Sequence, residues 1–255
     1  MAGQAENDIT DDALLGGRLQ ILQPAMGHRA GIDGVLLAAA VPAKSGELAL
    51  EGGAGVGTAS LCLARRVPGV SVDALEIDPI LADLARQNAA RNMLGDAIEV
   101  YCGSISAPPY RLGANSYHHV LMNPPFDAAG TGSPSPHQGR ASAHIEGGAA
   151  LRDWIKFAVT MARPGGCIIL IHRADRLDDI LAAFKGRAGG CEIFPLWPGF
   201  GKPAKRIIIR AYKGNDGPLC LLQGLVLHEP GRKYTEAAEQ ALRHAGALDF
   251  KDNHK

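Results

Sequence analysis

The stretch Leu48–Ala64, LALEGGAGVGTASLCLA, decides the predicted fold. It begins as a short apolar strand, turns at Gly53, Gly55 and Gly57, and continues with helical spacing from Thr58 to Arg66. Glycine adopts the backbone conformations that a tight strand-to-helix turn needs, and it lets a ligand approach the positive end of a helix. The stretch therefore predicts the first unit of an α/β fold with a ligand site at its turn.

Strands and helices alternate along the rest of the chain. Helices of 10–15 residues between short apolar strands indicate βαβ units and a mostly parallel sheet with helices on both faces. The predicted helices lie at 58–66, 79–92, 150–162 and 177–185, and the predicted strands at 46–50, 70–76, 98–101, 119–122, 167–172, 191–196 and 206–211, with a break at 163–166.

Two smaller segments flank this core. Residues 1–44 contain Gly16-Gly17, which predicts a hairpin turn, and then GIDGVLLAAAVP, which predicts a capped helix. The C-terminal part predicts one more strand and a helix. Neither segment has enough apolar residues for a core of its own, so both are expected to pack on the sheet. We predict an N-terminal extension at 1–44 and one domain at 45–255 that includes the C-terminal addition.

Composition limits the class of protein. The chain has 255 residues, 46% of them hydrophobic and 20% charged, with a formal net charge of zero, as in an ordinary globular protein. Any binding of nucleic acid would have to use local basic patches. Five widely spaced cysteines without a C-x-x-C pair favour neither a zinc site nor a disulfide framework, and they suit the cytoplasm. The polar N-terminus and the lack of a long apolar run predict no targeting segment and no membrane contact.

A carboxylate follows the glycine turn at the end of the next strand. Glu76, in VDALEIDP, stands where an acid can accept hydrogen bonds from both ribose hydroxyls of a nucleoside. Thr58 replaces the third glycine of a dinucleotide fingerprint, which weakens an NAD site. A glycine turn alone is a weak signal, and Glu76 alone could be a surface residue. Together they favour a nucleoside site.

The corner Asn123-Pro124-Pro125-Phe126 ends the fourth core strand, at the edge where open α/β sheets bind ligands. A stiff corner fixes two acceptors, the Asn123 side-chain oxygen and the Pro124 carbonyl, beside the Phe126 ring. Two acceptors can receive hydrogen bonds from both N–H groups of an exocyclic amine. The nitrogen lone pair is then directed toward an electrophile. The alternative interpretation is structural, since an Asn-Pro pair often serves only to initiate a turn. The glycine turn and Glu76 upstream favour amino-methyl transfer.

These motifs, in the order LALEGGAGVGTASLCLA, DALEIDP and VLMNPPF, resemble the class I S-adenosylmethionine-dependent amino-methyltransferases with a [DNS]-PP-[YFW] motif. GHRAGIDGVLLAAA and YTEAAEQALRHA resemble segments of the bacterial tRNA (adenine-N6) methyltransferases, which modify an anticodon-loop adenine of a valine tRNA. The resemblance covers about residues 15–245. It implies a Rossmann-like fold with a mostly parallel seven-stranded sheet, S-adenosylmethionine as cofactor and tRNA as substrate.

The resemblance also implies roles for single residues. Asn123 to Phe126 would hold the target base and carry the catalysis. The residues implied to bind the cofactor are Asp33, Glu51, Gly53, Gly55, Gly57, Glu76, Ile77 and Ser104. Three positions depart from the family pattern: Glu51 replaces the usual Asp, Gly103-Ser104 replaces an acid near the cofactor adenine, and Ile32 replaces a threonine before Asp33. Asp33 is equally suited to cap a helix.

RNA binding would need cations near the pocket mouth. The candidates are Lys202, Lys205 and Arg206 in PGFGKPAKRIIIR and Arg140 in the long loop after the corner, with further candidates at His137, His144, His28-Arg29 and Arg232-Lys233. For any one of them a solvated charge is the simpler interpretation. His118 and His119 are interpreted as packing or pocket-wall residues rather than a base, and no metal site is predicted. A monomer and a homodimer are both compatible with the sequence.

Three other functions stay open. An rRNA guanine-N2 enzyme or a protein glutamine-N5 enzyme would use the same corner, and the glutamine enzyme would need no basic face. A small-molecule O-methyltransferase would leave the NPPF corner unexplained. A non-catalytic module with a methyltransferase fold would bind cofactor or RNA without turnover. A positive surface beside the pocket would favour RNA, and a flat neutral groove would favour protein.

Overall fold

The computed structural model describes residues 9–26, 29–125 and 150–250. Of the residues singled out above, Phe126, Arg140, His28, His137 and His144 lie outside these ranges.

One nine-stranded sheet forms the centre of the molecule. Its strands are β3 (Leu48–Gly52), β4 (Ser71–Glu76), β5 (Ile98–Cys102), β6 (Tyr117–Met122), β7 (Ala162–Arg173), β8 (Ala188–Trp197), β9 (Arg206–Lys213), β10 (Cys220–Leu221) and β11 (Leu225–Val226). Their order is β10-β8-β9-β7-β6-β3-β4-β5, and β11 also pairs with β8. Among these described strands, β9 alone runs antiparallel to its neighbours, β7 and β8. The parallel Rossmann-like core predicted from the sequence is confirmed.

Helices cover both faces of the sheet. The described helices are α1 (Ile32–Ala39), α2 (Thr58–Arg66), α3 (Pro79–Arg91), α4 (Leu151–Met161), α5 (Leu177–Phe184) and α6 (Glu236–His244). One core cluster joins α1, α2, α3 and α6 to the sheet, and a second cluster joins α4 and α5 to its other face. Each central strand sends alternate side chains to the two clusters, because side chains alternate along a strand. The central strands are consequently apolar on both faces, as in other parallel sheets.

Outside this sheet lies a hairpin of β1 (Ile9–Leu14) and β2 (Leu19–Pro24), which turns at Leu15–Gly17 as predicted. Two buried asparagines, Asn88 in α3 and Asn92 directly after its end, bind the backbone of β2. The Asn92 side chain accepts from Gln20 N (2.9 Å) and donates to Gln20 O (2.7 Å). The Asn88 side chain does the same with Leu22, at 2.7 and 2.9 Å. Helix positions i and i+4 are about 6 Å apart, which matches the repeat of alternate strand residues, so α3 replaces a missing strand partner. The boundary at residue 44 stays a prediction.

The structure differs from the sequence prediction at the sheet edge and in β7. Two short strands extend the predicted seven-stranded sheet to nine: β10, which was not predicted, and β11, which lies in the C-terminal segment where one more strand was predicted. The predicted break at 163–166 instead lies inside β7, where the pairing to β6 jumps from Ala162 to Cys167. Gly165, with φ 71°, turns this bulge. Two residues are too short to show a strand period, and a bulge is not separable from a break by local sequence.

Candidate active site

The candidate site lies at one edge of the sheet, termed here the carboxyl edge, where the parallel strands β3 to β7 end. Gly52, the last residue of β3, pairs with Leu75 of β4 on one side and with Met122 of β6 on the other. The glycine turn therefore lies between Glu76 and Asn123. The next strand, β5, pairs with β4 up to Cys102 and leads to Ser104. The structure thus brings the predicted cofactor residues and the NPPF corner to one edge.

The glycine turn is held to β4 through its backbone. Gly53 N and Ala54 N both donate to Leu75 O, at 2.8 and 2.9 Å. Gly53, Gly55 and Gly57 have φ of 69°, 57° and 86°, the left-handed region that favours glycine. A Cβ at Gly53 would lie 2.6 Å from the Trp154 ring, whereas a Cβ at Gly55 would meet no heavy atom within 4 Å. The space above Gly55 is open to a ligand, and the space at Gly53 is filled by protein.

Glu76 is 4% exposed and is oriented by backbone donors. Its Oε2 accepts from Gly55 N (2.6 Å) and its Oε1 accepts from Asp78 N (2.9 Å). Burial raises the pKa of the carboxyl, and these hydrogen bonds oppose that rise. A carboxylate offers about four acceptor positions, so two donors leave capacity for two ribose hydroxyls. The arrangement fits a nucleoside at this strand end.

Glu51 is also buried, but part of it serves the protein itself. Its Oε2 accepts from Ser60 N (2.8 Å) and from the Ser60 hydroxyl. Ser60 N is one of the first N–H groups of α2, which have no partner within the helix. Burial raises the pKa of Glu51 to about 7, and the charge of Glu76 adds to the rise. Its implied role in cofactor binding stays a prediction, and one of its oxygens already accepts from Ser60.

The NPPF corner leaves one acceptor without a donor. Pro124 is buried and Pro125 is exposed. Asn123 Oδ1 is buried, and within the described residues no donor lies within hydrogen-bonding distance of it. A buried polar atom without a partner costs about 1–3 kcal/mol, so such atoms are rare and often belong to functional sites. The Asn123 oxygen therefore fits a donor that arrives with a ligand.

Asp33 and Arg206 meet at the same edge, where Arg206 Nε lies 2.6 Å from Asp33 Oδ2. Asp33 is in the first turn of α1 and Arg206 begins β9. A Cβ at Gly34 would lie 2.9 Å from Thr58 Cγ2, so α1 closely approaches the start of α2. The sequence assigned Asp33 to the cofactor and Arg206 to RNA. The structure joins the two in one ion pair.

The remaining predicted residues vary in exposure. Lys202 and Lys205 are exposed in the loop between β8 and β9. Ile77 is half-buried beyond the end of β4. Ser104 is also half-buried, and its hydroxyl lies 2.8 Å from the Ser106 hydroxyl.

His119 lies at the opposite edge of the sheet, buried and 2.8 Å from Glu47. Its interpretation as a packing residue is therefore confirmed. Among the described residues, no group of three His, Cys, Asp or Glu could hold a metal ion. The described helices include none with the length and apolarity to cross a membrane.

Sequence reasoning missed Trp154 under the glycine turn and the role of Ser60. A position in the first turn of the helix was the available signal for Ser60. Trp154 lies in the helix predicted at 150–162, but helical spacing does not show which residue it packs against.

Comparisons with known proteins agree with this geometry. Residues 29–138, which include the glycine turn, Glu76 and Asn123, match a family model described as methyltransferase small domain. A tRNA1(Val) (adenine(37)-N6)-methyltransferase of Porphyromonas gingivalis is 36% identical over 169 residues, covering 64% of this chain and 66% of that protein. The match thus spans just under two thirds of that relative's length. A protein of the same name from Aeromonas hydrophila is 29% identical and covers 82% of this chain and 86% of its own.

Solved structures show the same fold. The structure of a predicted O-methyltransferase from Agrobacterium tumefaciens aligns with a TM-score of 0.70 at 27% identity, covering 85% of this chain and 98% of its own. A P. horikoshii protein solved in complex with MeSAdo aligns with a TM-score of 0.56 at 15% identity, covering 82% and 72%. The chain thus shares its fold with methyltransferases of known structure, and in sequence it is similar to bacterial tRNA1(Val) (adenine(37)-N6)-methyltransferases.

Proposed function

We propose that the chain transfers a methyl group from S-adenosylmethionine to the N6 amine of an adenine in tRNA. The observation that carries the proposal is the buried Asn123 Oδ1 without a donor among the described residues, at the strand end next to the glycine turn. An exocyclic amine would supply the missing donor. The names of the relatives support adenine in a valine tRNA as the substrate.

The cofactor would lie across the ends of β3 and β4. Its ribose hydroxyls would donate to the Glu76 carboxylate, and its methionine part would cross the open space above Gly55. Ile77 would contact the adenine and Ser104 its edge, while Glu51 and Asp33 would face the methionine end, with Gly53 and Gly57 shaping the turn between them. When bound, the cofactor supplies an electrophilic methyl group on a sulfonium. The residues of the chain would hold this methyl group and the target amine in position.

The target amine would lie at the corner after β6. Asn123 Oδ1 and Pro124 O would accept hydrogen bonds from its two N–H groups, which directs the nitrogen lone pair toward the methyl group. These hydrogen bonds strengthen as the nitrogen gains positive charge, because charge-assisted hydrogen bonds are about twice as strong as neutral ones. Phe126 would stack on the base and Pro125 would fix the turn. Positioning of this kind supplies much of the rate in two-substrate reactions.

The nucleotide must leave its stack to reach this corner. Turning a base out costs a few kcal/mol and least in an open loop, which agrees with an anticodon-loop substrate. No strong base is needed, because the amine loses its proton after it has gained charge. Lys202, Lys205, Arg206 and Arg140 would contact the RNA backbone. A tRNA substrate implies a cytoplasmic enzyme.

Methyl transfer from labelled S-adenosylmethionine into total tRNA, rRNA and protein tests the proposal, with the product nucleoside identified by mass. We expect N6-methyladenine in tRNA. Label in rRNA guanine or in protein glutamine would keep the amine chemistry and replace the substrate. Label in a small molecule alone would favour an O-methyltransferase, the activity predicted for the A. tumefaciens protein. No label despite cofactor binding would indicate a binding module.

A further inference from the structure

The loop between β8 and β9, residues 198–205, exposes an aromatic ring at the carboxyl edge. Phe200 is 69% exposed and lies between Gly199 and Gly201. Gly201 has φ 70°, so the backbone turns sharply behind the ring. β8 ends and β9 begins at this edge, because β9 runs antiparallel to its neighbours. The ring therefore stands on the same edge as Asn123, separated from it by β7 and β9.

The loop that carries this ring is basic. Residues 197–206 contain no acid and two exposed lysines, Lys202 and Lys205, in a chain whose formal net charge is zero, whereas Arg206 is paired with Asp33. A second basic segment lies beside the loop, since a Cβ at Gly199 would be 3.7 Å from His228 O. That segment, 228–233, carries exposed Arg232 and Lys233 and one acid, Glu229. Clustering of cations on one face of a neutral chain favours a polyanionic partner.

A groove beside Phe200 has room for a planar group. Its volume is about 520 Å³, and its walls include Trp197, Phe200, Lys202, Gln223 and Val226. The Trp197 indole N–H donates to Gln223 O at 2.9 Å, so the ring that forms one wall is held in place. A fixed tryptophan, an exposed phenylalanine and a lysine in one groove form the combination that binds single-stranded nucleic acid.

We propose that Phe200 is a stacking platform for an unpaired base of the RNA that flanks the target nucleotide, with Lys202 and Lys205 on the adjoining phosphates. The inference rests on the proposed function and specifies how its RNA is held. Neighbouring strands are about 4.8 Å apart. The groove at β8 is therefore within reach of a short RNA segment whose target base lies at the end of β6. The groove would order the loop strand before the base enters the corner.

Binding of a fluorescein-labelled RNA hairpin with an adenine-containing loop, followed by anisotropy at fixed salt, tests the platform in the full-length protein. We expect Phe200→Ala to weaken RNA binding about 5- to 100-fold, the range for loss of one stacked base. Phe200→Tyr should restore the affinity, because stacking needs only a ring. The double variant Lys202→Ala/Lys205→Ala should have a less steep slope of log affinity against log salt concentration, by the amount expected for the loss of about two phosphate contacts.

Met93→Ala is the matched control, since Met93 is 88% exposed and follows α3 at the opposite edge of the sheet. It should leave RNA binding unchanged. RNA should also quench Trp197 fluorescence in the wild type and not in Phe200→Ala, while buried Trp154 stays unaffected.

Wild-type affinity in Phe200→Ala, or equal losses in Phe200→Ala and Phe200→Tyr, would overturn the platform while wild-type methylation of RNA still upheld the proposed function. A wild type that neither binds nor methylates RNA would overturn the proposed function together with the platform. Binding of an acidic peptide in preference to the hairpin would assign the groove to protein.

Discussion

The polar side chains at the ends of β4 and β6, the two strands that flank β3, differ in their hydrogen bonding. At the end of β4, both oxygens of Glu76 accept hydrogen bonds from backbone N–H groups. At the end of β6, Asn123 Oδ1 is buried without a donor within the described residues. The first acceptor is bound within the fold, and the second is the one that we propose to accept from a ligand. The difference suggests that the cofactor half is organised by the protein and the target half by its substrate.

The two arrangements differ in what they cost. The Glu76 hydrogen bonds are charge-assisted and offset part of the penalty of burying a carboxylate. Burial of the Asn123 oxygen without a donor among the described residues costs about 1–3 kcal/mol. Variants at the first position should therefore disturb both folding and binding, whereas variants at the second should disturb the reaction alone.

Glu76→Ala should have the largest effect. Each hydrogen bond to a charged group is worth about 1.5–3 kcal/mol, so loss of two ribose contacts should weaken S-adenosylmethionine binding by about 100-fold or more. The free energy of unfolding should fall as well, because Gly55 N and Asp78 N lose their acceptor. Calorimetric titration and urea denaturation measure the two effects. A variant that binds the cofactor weakly but unfolds with the wild-type free energy would contradict a role of Glu76 in the stability of the fold.

Glu51→Gln tests the acid between the two strand ends. The pKa of Glu51 is about 7 in the folded protein against an ordinary 4.5. A raised pKa means that stability is full below about pH 4.5, falls as the pH rises toward 7, and is level above that. Glutamine can still accept from Ser60 but does not titrate. Relative to the variant, the wild type should lose stability of order 3 kcal/mol between these pH values. If the free energy of unfolding changed with pH equally in the two proteins, the burial of this charge would be contradicted.

Gly53→Ala and Gly55→Ala separate packing from binding within one turn. Both positions have left-handed φ, which costs alanine about 1–2 kcal/mol. Only at Gly53 does the added Cβ meet protein, the Trp154 ring. Gly53→Ala should therefore lose more stability, and Gly55→Ala should lose cofactor affinity beyond its loss of stability. The reverse ranking would place the cofactor elsewhere.

Ser104→Ala should have the smallest effect. The Ser104 hydroxyl is half-buried and already engaged with Ser106, and substitutions near the surface usually change stability by no more than about 0.5 kcal/mol. Cofactor affinity should stay within about twofold. A loss of tenfold or more would show that this serine replaces the acid of the family pattern.

The sequence predicted most of what lies on the central strands. The glycine turn, the carboxylate at the end of β4 and the corner after β6 are local patterns whose position on an edge follows from parallel topology. Helix α2 begins and ends at the predicted residues, Thr58 and Arg66. These features were predictable because each depends on the period of one segment or on the stiffness of glycine and proline.

The contacts that join distant segments were not predictable. The pairing of Asn88 and Asn92 with the hairpin joins residues 66 or more positions apart. The ion pair of Asp33 and Arg206 joins the N-terminal helix to β9. No local period encodes such a meeting, since it depends on how the elements pack. The same holds for Phe200, whose sequence surroundings indicate a turn and not an exposed ring on a basic face.

The most direct test of the comparison is the single-turnover methylation rate of Asn123→Ala, measured together with its cofactor affinity and its free energy of unfolding. We expect the rate to fall by about 100-fold or more, the size of effect that misplaced reactants produce. Cofactor affinity should be unchanged and stability unchanged or higher, because a buried acceptor without a donor has been removed. A rate close to that of the wild type, or a loss of stability as large as that of Glu76→Ala, would contradict the assignment of Asn123 to the target amine.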